Sequence, residues 1–88
     1  MNIFIFTKLA EKKMQKLPKH IRIRIIEKLS GLKCHDDIFS VLKRLYNFLP
    51  ATHRLRIGNY RLIVQNISSE NDGKFRILDV GHRKDVYL

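Results

Sequence analysis

Cysteine is almost missing from this chain. Cys34 stands alone, which excludes an intramolecular disulfide framework and fits a reducing cytosol. No apolar run approaches the roughly 18 residues of a membrane span. The opening Met1–Phe6 segment lacks both the basic n-region and the small-residue cleavage site of a signal peptide. Glycine-rich phosphate loops are also missing, because the four glycines, at positions 31, 58, 73 and 81, all read as turn positions. Repeats and low-complexity segments are absent. Cys34-His35-Asp36-Asp37 resembles a metal cluster only in composition. Consecutive side chains diverge, and no second C-x-x-C or H-x-x-x-H accompanies them, so neither a metal, a cofactor nor a cysteine nucleophile is expected. What is present is 44% hydrophobic residues over 88 positions, enough for one small core and one domain spanning 1–88.

Acids are scarce as well: 8 against 18 lysines and arginines, for a net charge of +10. Such a balance favours polyanions, above all nucleic acid. Residues 1–35 carry nine bases and two acids, residues 36–69 five and two, and residues 70–88 four of each. Between Asp37 and Glu70 there is no acid, yet Lys43, Arg44, Arg54, Arg56 and Arg61 all fall there. This stretch is where a phosphate is expected to bind. The basic helix residues Lys12, Lys13, Lys16, Lys19, Arg22, Arg24 and Lys28 read most simply as a solvated face.

Residues 2–6 form an apolar run bounded by Thr7 and predict a buried strand. Thr7 suits an N-cap, with Glu11 near the positive end of the helix dipole. Leu9, Ala10, Lys13, Met14 and Leu17 keep helical spacing up to Pro18. Pro18 also suits the first position of a second helix, in which Ile21, Ile25, Leu29 and Leu32 make one stripe ending near Gly31. Ile21-Arg22-Ile23-Arg24-Ile25 alternates like a strand, but the length of the stripe favours helix. Ile38, Val41, Leu42 and Leu45 suggest one or two helical turns before an irregular segment through Pro50.

The period-2 runs His53–Ile57 and Tyr60–Val64 flank Gly58-Asn59, a two-residue hairpin signal. Phe75–Val80 reads as the last strand. The order is β-α-α-β-β-β, an α+β fold with a small, twisted, mainly antiparallel sheet and a helical hairpin packed on one face. With Gly58 and Asn59 as loop residues, Ile57 pairs with Tyr60 and Arg56 lies opposite Arg61. Arg54, Arg56 and Arg61 then share one face, and Leu55, Ile57, Tyr60, Leu62 and Val64 take the core face. A cross-strand arginine pair repels itself and reads as a site for an anion. The plainer alternative is that these arginines splay into solvent or pair with Asp79 or Asp85.

These residues carry a resemblance. Arg54-Leu55-Arg56-Ile57-Gly58-Asn59-Tyr60-Arg61 resembles the hairpin motif R-L-R-x-G-x-Y-R of the RelE/ParE toxin superfamily. Val80-Gly81-His82-Arg83-Lys84-Asp85-Val86-Tyr87 is similar to its closing V-G-H-R-x-x-V-Y. The resemblance spans essentially the whole chain and implies the fold just described. It further implies a type II toxin, typically a ribosome-dependent ribonuclease that cuts mRNA in the A site. A cognate antitoxin would silence it, and only through that antitoxin would operator DNA be met. By the same resemblance, Arg54 and Arg56 hold the RNA backbone, and Arg61 stands at the scissile phosphate. Arg83 shares that task, Tyr87 lies close to the reacting nucleotides, and His82 occupies a position where many relatives have histidine or lysine. The chain departs from RelE proper in having arginines at 54 and 56 instead of lysines, and a shorter turn.

Arginine stays protonated at ordinary pH and cannot act as a base. His82 is therefore the expected proton-exchanging group, with Arg61 and Arg83 stabilising charge and Tyr87 stacking on a base. In the plainer reading His82 and Arg83 are a solvated tail and Tyr87 closes the core edge. Two rival functions remain open at this level: a ParE-type toxin that poisons gyrase and cuts nothing, and an inactive RNA-binding module.

Overall fold

A computed structural model describes residues 1–68 and 73–82. Strand β1 (Ile3–Phe6) leads through Thr7 into helix α1 (Lys8–Lys16). The Thr7 hydroxyl accepts the Ala10 N–H at 3.2 Å, satisfying one of the donors that a helix start leaves open. Helix α2 (Lys19–Leu32) follows, with Pro18 as its N-cap residue rather than its first helical residue. Its stripe buries Ile25, Leu29 and Leu32, so the helical period prevails over the alternation at 21–25. Gly31 lies inside α2 instead of ending it. The helix end is instead held by Asn2, whose Nδ2 donates to the carbonyls of Leu32 (2.8 Å) and His35 (2.9 Å).

The expected helical turns after residue 36 reduce to one turn of 3₁₀ helix, Ile38–Ser40. A two-residue strand then follows, β2 (Lys43–Arg44), before β3 (His53–Ile57), β4 (Tyr60–Asn66) and β5 (Lys74–His82). The sheet order is β1-β5-β4-β3-β2, with β1 parallel to β5 and every other pair antiparallel. The fold is thus α+β with five strands, one more than the sequence reading placed. Gly58 (φ 60°), in the β3–β4 turn, and Gly73 (φ 66°) hold backbone conformations in which an L side chain would be strained. Gly81, by contrast, lies within β5.

Alternation divides the sheet. On the helix side Leu55, Leu62, Val64, Phe75, Ile77 and Val80 pack with Ala10, Met14, Ile25 and Leu29 into the main core. Leu62, Val64, Phe75 and Ile77 have no exposed surface. Burial of this kind stabilises by about 1.5–3 kcal/mol per large side chain. A bulge shifts the β4–β5 register after Ile63 and skips Leu78. Ile63 and Leu78 accordingly join Ala51 and Leu45 in a second, smaller cluster. Among the described residues no helix is long and apolar enough to cross a membrane.

Candidate nucleic-acid interface

The face of the sheet turned away from the main core is built on two rungs of like charge. Arg56 lies directly opposite Arg61, and Ile57 opposite Tyr60, as the hairpin arithmetic required. Two residues further along, Arg54 lies opposite Lys43 of β2 and, on its other side, opposite Ile63. Directly opposed side chains share a face, so Lys43, Arg54, Arg56 and Arg61 stand together. Arg54 and Arg61 are half-buried, and Nε of Arg61 is shielded from solvent; Lys43 and Arg56 are exposed. Half-buried guanidinium groups lose rotamer freedom, and the planar fork of arginine matches a bidentate acceptor. Nε of Arg56 donates to the Gly58 carbonyl at 3.1 Å, which draws its head towards the hairpin turn. Helix α2 brings Arg24 and Lys28 to the same turn, where they line a cleft of about 370 Å³ with Glu27 and Arg56.

One plainer alternative for the arginines concerned Asp79. Its carboxylate accepts Lys13 Nζ of α1 at 2.7 Å and is thereby occupied on the helix side. Asp85, Arg83 and Tyr87 lie outside the described residues, so the contributions the resemblance gives to Arg83 and Tyr87 have no structural counterpart here. Cys34 is exposed, and His35 Nδ1 accepts the Asp37 N–H at 3.1 Å, so this polar segment closes on itself as a turn.

Two expected site residues stand apart from the rungs. Arg44 pairs with His53, not with the arginine face, and its guanidinium lies 5.5 Å above the Tyr46 ring. Neighbours along a strand point to opposite faces, so Lys43 and Arg44 cannot both serve one surface. His82 pairs with Tyr60 and meets its ring edge-on at 5.5 Å. Both line a cleft of about 250 Å³ with Lys13 and Lys16 of the first helix and its C-cap Leu17. Arg61, in contrast, faces Gly81 across the ladder and points to the other side. His82 is therefore one residue past Arg61's partner, at the end of β5, on the helix side of the sheet.

Sequence reasoning passed over a cleft of about 420 Å³ at the other end of the hairpin. Arg44, Tyr46, Phe48, Thr52, His53 and Asn66 line it. His53 is buried, and its Nδ1 is 2.9 Å from the Thr52 hydroxyl. Burial, reinforced by the charge of Arg44, lowers its pKa below the usual histidine value and keeps the ring neutral at pH 7. The available signal was His53 itself, which takes a core position at the head of an alternating run. A third feature is apolar. Ile23 and Ile26 of α2 are 46% and 52% exposed, and Ile26 joins a groove with Met14 on one side and with Phe4, Phe6 and Leu29 on the other.

Two helices on one face of an open five-stranded sheet, with a cationic opposite face, define a class of small basic α+β domains, and the comparisons place the chain within it. The family model for the ParE toxin of the type II toxin-antitoxin system parDE matches residues 4–87. The chain is similar to a chain of the RelBE2 toxin-antitoxin complex from Mycobacterium tuberculosis, at 29% identity and a TM-score of 0.74, covering 93% of this chain and 98% of that one. It is similar to a chain of the RelB-RelE complex of Methanococcus jannaschii, at 26% identity and TM-score 0.68, covering 94% of each. The isolated Escherichia coli RelE toxin, at 20% identity and TM-score 0.67 over 93% of this chain and 84% of that one, shares the fold. A search of curated proteins finds no match. This chain belongs to the ParE toxin family of the RelE/ParE superfamily and is a toxin of a type II toxin-antitoxin system.

Proposed function

We propose that this toxin is a ribosome-dependent endoribonuclease that inhibits translation by cutting mRNA in the A site. The observation that carries this reading is the pair of cationic rungs, Arg56–Arg61 and Arg54–Lys43, held on the sheet face turned away from the main core. Strand rise separates them by about 7 Å, a span suited to successive phosphates of an extended strand. In the reaction the 2′-oxygen attacks the adjacent phosphorus and its proton leaves. The bond to the 5′-oxygen breaks, and that oxygen takes up a proton. The products are a 2′,3′-cyclic phosphate and a 5′-hydroxyl. Arg61 stabilises the charge that builds on the phosphorane, while Arg54, Arg56 and Lys43 hold the flanking backbone. The resemblance assigns the proton exchange to His82, which stands beside Tyr60 at the end of β5, and gives Arg83 and Tyr87 parts in the same reaction.

The partner in this reading is a cognate antitoxin, as in the solved complexes of the relatives. The apolar groove at Ile23 and Ile26, rimmed by Lys19, Arg22 and Lys33, suits an amphipathic acidic segment. The rival reading, favoured by the description of the family model, is gyrase poisoning with no RNA cut. An in vitro translation assay separates the two. Cleavage of mRNA mapped to the A site supports the first; gyrase-dependent DNA breaks with intact mRNA overturn it. Within the first reading, His82→Ala isolates the proton-transfer role, and cleavage at the parent rate removes His82 from it.

A further inference from the structure

The cationic surface does not end with the rungs. Arg56 belongs to two surfaces at once: it lies opposite Arg61 on the ladder, and it lines the cleft of about 370 Å³ with Arg24 and Lys28 of α2. Arg24 and Lys28 are one helical turn apart, so both stand on the same side of α2. Arg24 and Arg56 meet at Gly58 from two directions. Nε of Arg56 donates to the Gly58 carbonyl at 3.1 Å. The Arg24 guanidinium packs against the same glycine, where a β-carbon would fall 3.0 Å from Nη1 and 3.1 Å from both Cζ and Nη2. Glycine thus serves twice here, through its φ of 60° and through the space it leaves for Arg24. Among the described residues no ion pair joins Glu27, the one acid of this cleft, to any of the three cations.

We infer that this cleft is a third phosphate site, which takes a backbone phosphate of the same RNA strand that lies on the rungs. The strand then bends round the hairpin tip, from the arginine face of the sheet towards α2. Arg56 joins the two segments, since it borders both the rung and the cleft. A phosphodiester has two free oxygens, so one can accept from Arg56 and the other from Arg24 or Lys28 on the opposite wall. An acidic amphipathic peptide fits less well, because it needs apolar anchors beside the charges. The exposed apolar residues of α2, Ile23 and Ile26, line a different groove, and Ile57, the apolar residue of this cleft, is buried. The inference rests on the RNA reading above and adds to it the direction in which the strand leaves the sheet.

The length of the RNA supplies the test. Binding of the purified toxin to fluorescent four- and ten-nucleotide oligouridylates is measured by anisotropy from low to moderate salt. The rungs suffice for the shorter RNA, and the longer one reaches the cleft as well. Arg24→Ala combined with Lys28→Ala, both at exposed positions, weakens the ten-nucleotide complex roughly tenfold. It lowers the slope of log affinity against log salt by about 0.7, one single-strand phosphate contact, and leaves the four-nucleotide complex at parent affinity. Lys28→Ala alone, which keeps Arg24 on Gly58, shows the same length dependence to a smaller degree. Glu27→Gln removes the acid of the wall and strengthens the longer complex only. Parent affinity for both RNAs in the double variant overturns the third site and leaves the rungs standing. An equal loss at both lengths also overturns it, because the two cations then act through the protein's general field. Ten-residue polyglutamate tests the peptide alternative: if the double variant loses it and keeps the RNA, the cleft belongs to an acidic segment. If the parent binds neither RNA at low salt, the ribonuclease reading falls and the third site falls with it.

Discussion

The two faces of this sheet are made by the same five strands and do opposite work. The helix-covered face buries Leu62, Val64, Phe75 and Ile77 completely, and the helical hairpin closes over it. The other face leaves Ile3 and Ile5 about half exposed and sets cation against cation in two successive rungs. Like charges directly opposite each other destabilise a sheet, so the second face is not arranged for stability. It is tolerated because the first face supplies most of the packing, while a small cluster around Ile63 and Leu78 adds to it from the second. Stability and ligand chemistry are thus separated by a single-residue alternation. Substitutions on the two faces should have effects of different kinds.

The largest effect belongs to the covered face. Phe75 has no exposed surface and stacks against Phe4 with ring centroids 5.6 Å apart, and edge-on against Phe39 at 5.8 Å. Phe75→Ala should lower unfolding free energy by about 3–5 kcal/mol, read from a urea titration. A loss below about 1 kcal/mol would show that the core does not carry the fold. On the open face, Arg61→Ala should reduce ribosome-dependent cleavage about 10²–10³-fold, the scale for removing one preorganised charge-stabilising group. Because Arg61 is half-buried, Arg61→Lys serves as the companion variant. It keeps the charge and most of the stem packing but loses the fork, so melting should stay near the parent while activity stays low.

The hairpin shows how much of both faces could be read from the chain. Alternation from His53 to Val64 with Gly58-Asn59 between determines the Arg56–Arg61 and Ile57–Tyr60 pairs, because a two-residue turn leaves no freedom in register. Thr7 as a helix cap was equally legible, since its hydroxyl and the following helix are local partners. Lys43–Arg44 was not, because two polar residues have no period and become a strand only by meeting His53 and Arg54. The side of the sheet taken by His82 was hidden for a different reason. It depends on the β4–β5 register, and the bulge that skips Leu78 shifts that register by one residue. Bulges carry no reliable sequence period. The cleft at His53 depended on a loop folding back onto the strand end, a tertiary event that local spacing does not encode.

A smaller effect probes the boundary between the faces through His53. Burial and then the Arg44 charge hold its folded pKa below the value near 6.5 of an exposed histidine. The unfolded chain therefore takes up a proton first as pH falls. The neutral ring's contribution to stability is complete above pH 6.5 and is lost progressively below it, down to the folded pKa. The urea midpoint of the parent should fall between pH 7.5 and 5.5 by more than that of His53→Gln. Equal shifts in the two proteins would mean that His53 is not the group responsible.

The smallest effect has the sharpest sign. Arg56 is exposed and lies opposite Arg61, so replacing it by an acid turns a repulsive rung into an attractive one. Arg56→Glu should raise stability by about 0.2–1 kcal/mol, measured by urea titration at low salt, and the gain should shrink as salt is added. The same change places a carboxylate where the RNA backbone must lie, so cleavage on ribosomes should fall. A protein made more stable and less active by one exposed substitution is the expected consequence of a face arranged to hold an anion. Loss of both together would instead mean that Arg56 is a structural residue, held through its bond to the Gly58 carbonyl, and that the rung has no bearing on RNA.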